Sequence, residues 1–459
     1  MIQRTLKDIQ RMAGGEGLSD SFEEKSVNGV STDSRSILPG SLFVPITGEN
    51  FNGHRFAGKA ISEGAEAVLW DRNEPNPPEN APVIFVDDTL VALQTLAKSY
   101  KEQLNVKIAG VTGSNGKTTT KDLLASALSS AYKVHKTKGN FNNHIGLPLT
   151  LLSMPEDTEV AVLEMGMSSR GEIEFLSNLA CPDAAIITNI GESHMMELGS
   201  REGIAEAKLE IVSGLKEDGI LFYFGDEPLL QERVPLMEIK TVTFGDKATN
   251  SLYPADIVQS DEGVAFTVQP GGERFMIPVL GKHNVWNALA AIAAARHLGV
   301  SDSDIKSGLS KLAMTSMRLE LTKCAKGWTV INDAYNASPT SMKAAITLTE
   351  DLEGYARKIL ILGDMLELGE NEAEFHLETG EHITKGKIDR VFTYGVLGEK
   401  IAEGAARKLS AGEVESFTDK SDLIAAVKRF ARPGDLFLVK ASRGMRLEEA
   451  VEALKEEKE

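Results

Sequence analysis

Apolar and polar positions alternate along this chain in two rhythms. Short β-branched runs give way repeatedly to longer stretches whose leucines and alanines recur at helical spacing. That succession predicts alternating strands and helices, and so mainly parallel sheets wrapped by helices. Near the amino terminus the runs at 41–46, 67–70 and 83–86 predict strands, and 55–63 and 90–104 predict helices. Between them lie a polar, turn-prone segment at 29–35 and a glycine-punctuated loop at 48–54. Farther on, 106–112, 160–163 and 185–188 predict strands and 119–128 a helix. Alternation over 263–279 predicts a hairpin that extends the parallel sheet. Residues 283–287 open an alanine-rich helix. After a linker at 312–319, strands at 328–331, 358–362, 390–393 and 435–439 predict a second doubly wound unit. It has no GxGxxG turn, and its last helix, from 447, is strongly charged.

The chain is organised around Gly113-Ser-Asn-Gly-Lys-Thr118, which stands between a predicted strand and a predicted helix. In that context the run reads as a phosphate-binding loop, although the spacer between its glycines is shorter than in the common pattern. Glycines let backbone N–H groups close on phosphate oxygens, and the helix start adds partial positive charge. Gly113, Ser114, Asn115, Gly116, Lys117, Thr118 and Thr119 are thus candidate ATP contacts. Lys117 is expected to reach the outer phosphates with no structural partner of its own, and the Thr118 hydroxyl to hold Mg²⁺. The predicted fold class is α/β with three domains. Residues 1–103 form a small amino-terminal α/β domain, 104–314 a central P-loop ATPase domain with a mostly parallel sheet, and 315–459 a carboxy-terminal Rossmann-like domain.

With 459 residues the chain is too long for one core. A formal net charge of −18 argues against nucleic acid as a partner. Two cysteines give no disulfide framework and point to a reducing, cytoplasmic compartment. No run of about eighteen apolar residues predicts a membrane span. Other polar residues fall at predicted strand ends, where open α/β sheets bind ligands. Glu164 and His194 are plausible metal neighbours of the phosphates, though a lone loop histidine is more often merely hydrogen-bonded. Asn140, Asn142 and Asn143 suit either an anion-binding turn or a solvated one. Asn284 and Asn287 share one helix face and either cap the helix or read a ligand. Asp333, Tyr335, Asn336, the 363–367 turn, Lys440, Ser442 and Arg443 follow strands of the last domain. By spacing alone, Lys208 reads as a surface lysine paired with a glutamate.

The phosphate loop, Glu164-Met-Gly166, Asn189-Ile-Gly191, His194, Lys208, His283-Asn284, Arg318 and Asp333 to Asn336 together resemble the Mur ligase family. These are ATP-dependent peptide ligases of bacterial cell-wall synthesis. Ser31-Thr-Asp-Ser-Arg35, His54, Gly139-Asn-Phe-Asn-Asn143, Asp333-Ala-Tyr-Asn-Ala-Ser-Pro339 and Leu362-Gly-Asp-Met-Leu-Glu-Leu-Gly369 sharpen the resemblance. They point to the member that adds D-alanyl-D-alanine to UDP-N-acetylmuramoyl-tripeptide. Ala441 and Asn52 depart from it, standing where glycine and aspartate are expected. A monomer is expected, and the resemblance implies that Ser31, Asp33, Ser34, Arg35, Asn52 and His54 meet the UDP-sugar, with Asn140, Asn142, Asn143, Lys440, Ser442 and Arg443 as further substrate-binding residues. Lys117, Lys208, His194 and Arg318 would be catalytic, and Arg318, Asn284, Asn287, Asp333, Tyr335 and Asn336 would join the ATP site. Thr118, Glu164, His194 and a carbamylated Lys208 would hold Mg²⁺. The last domain would face the ATP site only on closing. A folylpolyglutamate synthase-like ligase or another Mur step shares the central domain, and an inactive ATP-binding regulator is the rival from a different class.

Overall fold

The computed structural model describes residues 1–459 apart from 49, 50, 80, 261, 316 and 457–459. Glu49 and Asn50 of the 48–54 loop, Ser316 of the linker, and the end of the 315–459 domain therefore lie outside the described residues. Internal contacts divide the chain into two units. The first is Met1–Thr112, Leu128–Ile186 and Leu209–Leu221; the second is Gly113–Ala127, Ile187–Lys208 and Phe222–Glu459.

In the first unit, strands Val30–Ser31, Leu42–Phe43, Ala67–Asp71 and Val83–Val86 pair in parallel. Phe43, Ala57, Ala60, Val68 and Trp70 form a core cluster in this part of the chain. The strand expected over 41–46 shrinks to Leu42–Phe43, consistent with Pro45, which has no N–H to give a ladder. The helix Thr89–Glu102, capped by the Asp88 carboxylate on the Val91 N–H, carries the chain to the strand Lys107–Thr112. After Lys107 every residue of that strand is buried, which is why it reads as a continuous apolar run. It lies inside a six-stranded sheet ordered Val134–Lys136, Val160–Glu164, Lys107–Thr112, Ala184–Ile187, Ile220–Phe224, Lys240–Phe244.

The hairpin expected to extend this sheet does not do so. Gly263–Gln269 and Glu273–Ile277 join an unforeseen strand, Tyr253–Ser260, in a separate three-stranded antiparallel sheet. Alternation specifies which strands pair locally; it says nothing about which sheet receives them. The last sheet runs Glu320–Lys323, Thr329–Asn332, Asp435–Lys440, Arg357–Gly363, Arg390–Tyr394, Val414–Phe417, parallel except for the first pair. Apolar clusters around Leu360 and Leu438, and around Ile361 and Val439, pack its two faces. Its two edge strands escape the hydrophobic pattern because at least half of each is polar, as in Glu320-Leu-Thr-Lys323.

Candidate active site

In the second unit the phosphate loop turns from the sheet into the helix Lys117–Leu128. Gly113 and Gly116 adopt φ of +146° and +81°. A Cβ on Gly113 would lie 1.9 Å from Thr188 Oγ1, and one on Gly116 2.3 Å from Asn287 Oδ1. Only glycine fits either position. The segment after the Ala184–Ile187 strand splints the loop. Ser114 and Asn115 donate their N–H groups to the Asn189 carbonyl (3.1 Å) and Oδ1 (2.9 Å), and Gly191 N–H donates to Ser114 Oγ (2.8 Å). Thr188 and Asn189 both donate to the Asn115 carbonyl, at 2.5 and 3.0 Å.

Lys117 does have a structural partner, contrary to expectation. Its ammonium folds back onto the carbonyls of Gly113 (2.7 Å) and Ser114 (3.3 Å), because tight turns point carbonyls at any donor within reach. Asn284 and Asn287 act as braces. Thr120 donates to Asn287 Oδ1 (3.3 Å), Asn287 Nδ2 to Asn284 Oδ1 (2.8 Å), and Asn284 Nδ2 to the Leu280 carbonyl (2.7 Å). Beside them, burial lowers the His283 imidazole from its usual range to about 4, Asp333 opposing the shift and Lys440 adding to it.

Arg318 reaches the loop from the linker. Its Nη2 donates to Thr118 Oγ1 (3.2 Å), its guanidinium lies 4.2 Å from the Tyr335 ring centroid, and Tyr335 thereby supports its flat face. Asp333 accepts the Leu319 N–H (3.2 Å) and the Lys440 ammonium (2.6 Å), which also donates to the Asn336 carbonyl (2.9 Å). Two contacts were invisible in the sequence: Ser338 Oγ donates to Asn115 Oδ1 (3.1 Å), and Thr340 Oγ1 to Glu192 Oε2 (2.7 Å). Arg318 and Ser338 thus touch the loop in this structure. Arg318 Nε and Asn115 Nδ2 are buried with no hydrogen-bond partner among the described residues. Buried donors left without acceptors are costly, and phosphate oxygens would satisfy them. Arg443 also approaches this group of residues, its guanidinium 5.9 Å from the Tyr335 ring centroid and 3.4 Å from Met317 Sδ. Ser442 Oγ accepts the Leu366 N–H (2.9 Å), and exposed Arg443 pairs with Glu448 (3.3 Å).

His194 adopts φ +66°, and its Nδ1 lies 3.0 Å from the carboxylate of Glu367, itself at φ +64°. Lys208 is 1 % exposed, which overturns the surface-lysine reading. It sits on the inward face of the helix Arg201–Leu209, among Ile204, Ala205 and Ala207 in sequence, a face that alternation alone does not reveal. Among the described residues, no three His, Cys, Asp or Glu side chains converge as a metal cluster. Mg²⁺ favours oxygen, so the Thr118 hydroxyl and the Glu164 carboxylate fit it, and a lysine amine fits only once converted to a carbamate.

In the first unit, Glu164 is buried at a strand end, opposite Val111 in register, and accepts Asn142 Nδ2 at 2.9 Å. Asn143 Oδ1 caps the next helix through the N–H of Gly146 (2.8 Å), and Asn140 is an exposed turn residue. The loop thus divides between Asn142 at a chemical site and Asn143 at a cap. Ser31 is bonded to the backbone of Asp33, and Ser34 is buried. Arg35 grips the Asp33 carboxylate (2.8 Å), which its guanidinium holds down at about 2. Asn52 donates to Glu74 (2.7 Å) and its Oδ1 accepts the backbone N–H of His54 (2.9 Å). His54 is buried edge-on against Trp70, with Nδ1 at 3.0 Å from Asn52 Oδ1 and Nε2 accepting the Asp71 N–H at 3.3 Å. Both ring nitrogens therefore hold the loop in place.

Three family models match in chain order: "Mur ligase family, catalytic domain" over 26–101, "Mur ligase middle domain" over 111–295, and "Mur ligase, glutamate ligase domain" over 317–443. The chain is 59% identical over 454 residues to the UDP-N-acetylmuramoyl-tripeptide–D-alanyl-D-alanine ligase of Bacillus subtilis, covering 99% of each chain. It superposes on MurF from Acinetobacter baumannii with a TM-score of 0.89 at 30% identity, covering 100% of both. A MurF ligase from Thermotoga maritima in complex with ADP matches with a TM-score of 0.81 at 29% identity, over 94% of this chain and 97% of that one. With the phosphate loop, its asparagine splint and the linker arginine in place, this chain belongs to the Mur ligase family.

Proposed function

We propose that the chain is an ATP-dependent ligase that joins D-alanyl-D-alanine to UDP-N-acetylmuramoyl-tripeptide, giving the pentapeptide precursor, ADP and phosphate. The observation that carries this is the 59% identity along 99% of a ligase of that name, with the phosphate loop intact. A carboxylate is a poor acyl donor to an amine, so the tripeptide carboxylate first attacks the γ-phosphate of ATP. The resulting acyl phosphate is then opened by the dipeptide amine, and phosphate leaves.

The loop N–H groups and Lys117 offset the repulsion between two anions as they meet, and Arg318 adds positive charge beside Thr118. Thr118, Glu164, His194 and a carbamylated Lys208 would hold Mg²⁺, which supplies Lewis-acid stabilisation to the transferring phosphoryl group. Domains over 1–103, 104–314 and 315–459 would bind the UDP-sugar, the ATP, and the ATP together with the dipeptide. Exclusion of water by the last of them protects the acyl phosphate from hydrolysis.

The test is product formation. Protein, ATP, Mg²⁺ and D-alanyl-D-alanine are incubated with tripeptides ending in lysine or in diaminopimelate. One phosphate per pentapeptide is expected with at least one of them. ATP binding without phosphate release in either case would turn the reading to a regulator. Product with a different amine and no turnover with the dipeptide would turn it to a sister ligase.

A further inference from the structure

We propose that Asp122 is a positioning residue, which clamps Thr315 so that the linker delivers Arg318 to the phosphate loop. The inference rests on the reading of Arg318 as a phosphate ligand. Asp122 lies on the phosphate-loop helix, one turn beyond Thr118, so the two share a helix face. Its side chain is wholly buried, as is that of Lys121, whose ammonium lies 3.6 Å from Asp122 Oδ1. Asp122 Oδ2 accepts both the backbone N–H (2.9 Å) and the hydroxyl (2.8 Å) of Thr315. One carboxylate oxygen thus fixes the main chain and the side chain of the same linker residue.

The linker then runs antiparallel to the helix. Thr315 sits on Asp122, and three residues later Arg318 sits on Thr118. On either side of Arg318 the backbone is strained: Met317 and Leu319 adopt φ of +60° and +50°. Side-chain-bearing residues stay in that region only when their surroundings hold them there. Glu320 holds the Met317 N–H (3.1 Å) and Asp333 the Leu319 N–H (3.2 Å), both from positions after the linker. The Asp122 clamp ties the linker to the very helix that carries Arg318's partner. A carboxylate buried for packing alone has no reason to take both donors of one linker residue. Hydrogen bonds to an ionised acceptor are strong, and they suit a joint that must hold while its neighbour is strained.

The test uses the full-length protein. Asp122→Asn alters a wholly buried carboxylate beside Lys121 and puts the fold at risk, so Thr315→Val, which removes only the hydroxyl bond, carries the experiment, with Thr315→Ser as the variant that keeps the bond. Thr315→Val is expected to lower kcat about tenfold with an unchanged KM for the UDP-tripeptide and a near-normal melting temperature, and Thr315→Ser to stay near wild type. Arg318→Ala is expected to cost more, and Thr315→Val added to it should cost nothing further, because the clamp acts through the arginine. Equal losses from Thr315→Val with and without Arg318 would make the clamp merely structural and overturn the proposal, as would a wild-type rate in Thr315→Val. Full activity in Arg318→Ala would instead overturn the phosphate-ligand reading beneath it.

Discussion

Lys117 is held in place by the loop it serves, and its ammonium on the Gly113 carbonyl is both a brace and a charge in waiting. Lys117→Ala should therefore lose transition-state stabilisation, about 10²–10³ in kcat, and also loosen the loop. Steady-state phosphate release is expected to show the fall in kcat together with a raised KM for ATP. Lys208 poses a different problem: it is buried, and on the carbamate reading it would stand beside the proposed Mg²⁺, where a carboxylate suits the metal and an ammonium repels it. Carbon dioxide adding to the neutral amine, with loss of one proton, gives a carbamate of opposite charge. Lys208→Ala should lose most activity and regain part of it in acetate, while Lys208→Arg stays inactive because guanidinium keeps its charge. A fully active arginine variant would discard the carbamate. His283 gives a pH signature. Its imidazole is lowered from 6.5 to about 4 by burial, so between those values the unfolded chain binds a proton that the folded chain refuses. Stability is complete above the upper value and declines as pH falls towards the lower one. Melting curves from pH 7 to 4.5 should show a shallower decline in His283→Gln than in wild type. His54, His135, His376 and His382 are lowered as well, so the difference between the two proteins is the quantity that decides.

At the scale of elements, the phosphate loop is a shape imposed by its neighbours as much as by its own glycines. Gly116→Ala would place a methyl group 2.3 Å from Asn287 Oδ1 and hold alanine at φ +81°. The backbone term alone is about 1–2 kcal/mol, and the clash would pull the Asn287 brace off Thr120. ATP binding measured by calorimetry is expected to fall more than tenfold, with most of the melting temperature kept. Unchanged affinity would mean that the brace plays no part in holding the loop. The linker is the second such element: Thr315, Arg318 and Leu319 are each tied to a different residue, and their order in the chain sets the path between them.

At the scale of the molecule, the proposed UDP-sugar contacts and the phosphate loop belong to different units of the chain. Arg35 is exposed and its guanidinium engages the Asp33 carboxylate, so its removal disturbs no core. Arg35→Ala should raise the KM for the UDP-tripeptide several-fold and leave that for ATP unchanged. The reverse pattern in initial-rate kinetics would mean that the first unit has been given the wrong ligand.

Much of this was written in the sequence because the physics there is local. A β-branched run, a glycine turn and an amphipathic helix specify a phosphate loop through φ, backbone donors and spacing, and those are properties of consecutive residues. The order of strands and helices was legible for the same reason, whereas polar edge strands such as Glu320–Lys323 were not, since their pattern depends on a neighbour. Sheet membership of the Gly263–Ile277 hairpin, the burial of Lys208, the two hydrogen bonds that Thr315 donates to Asp122 and the commitment of the His54 nitrogens to Asn52 and Asp71 were decided in three dimensions. Each depends on which distant residue arrives opposite a side chain, and only the packed chain fixes that.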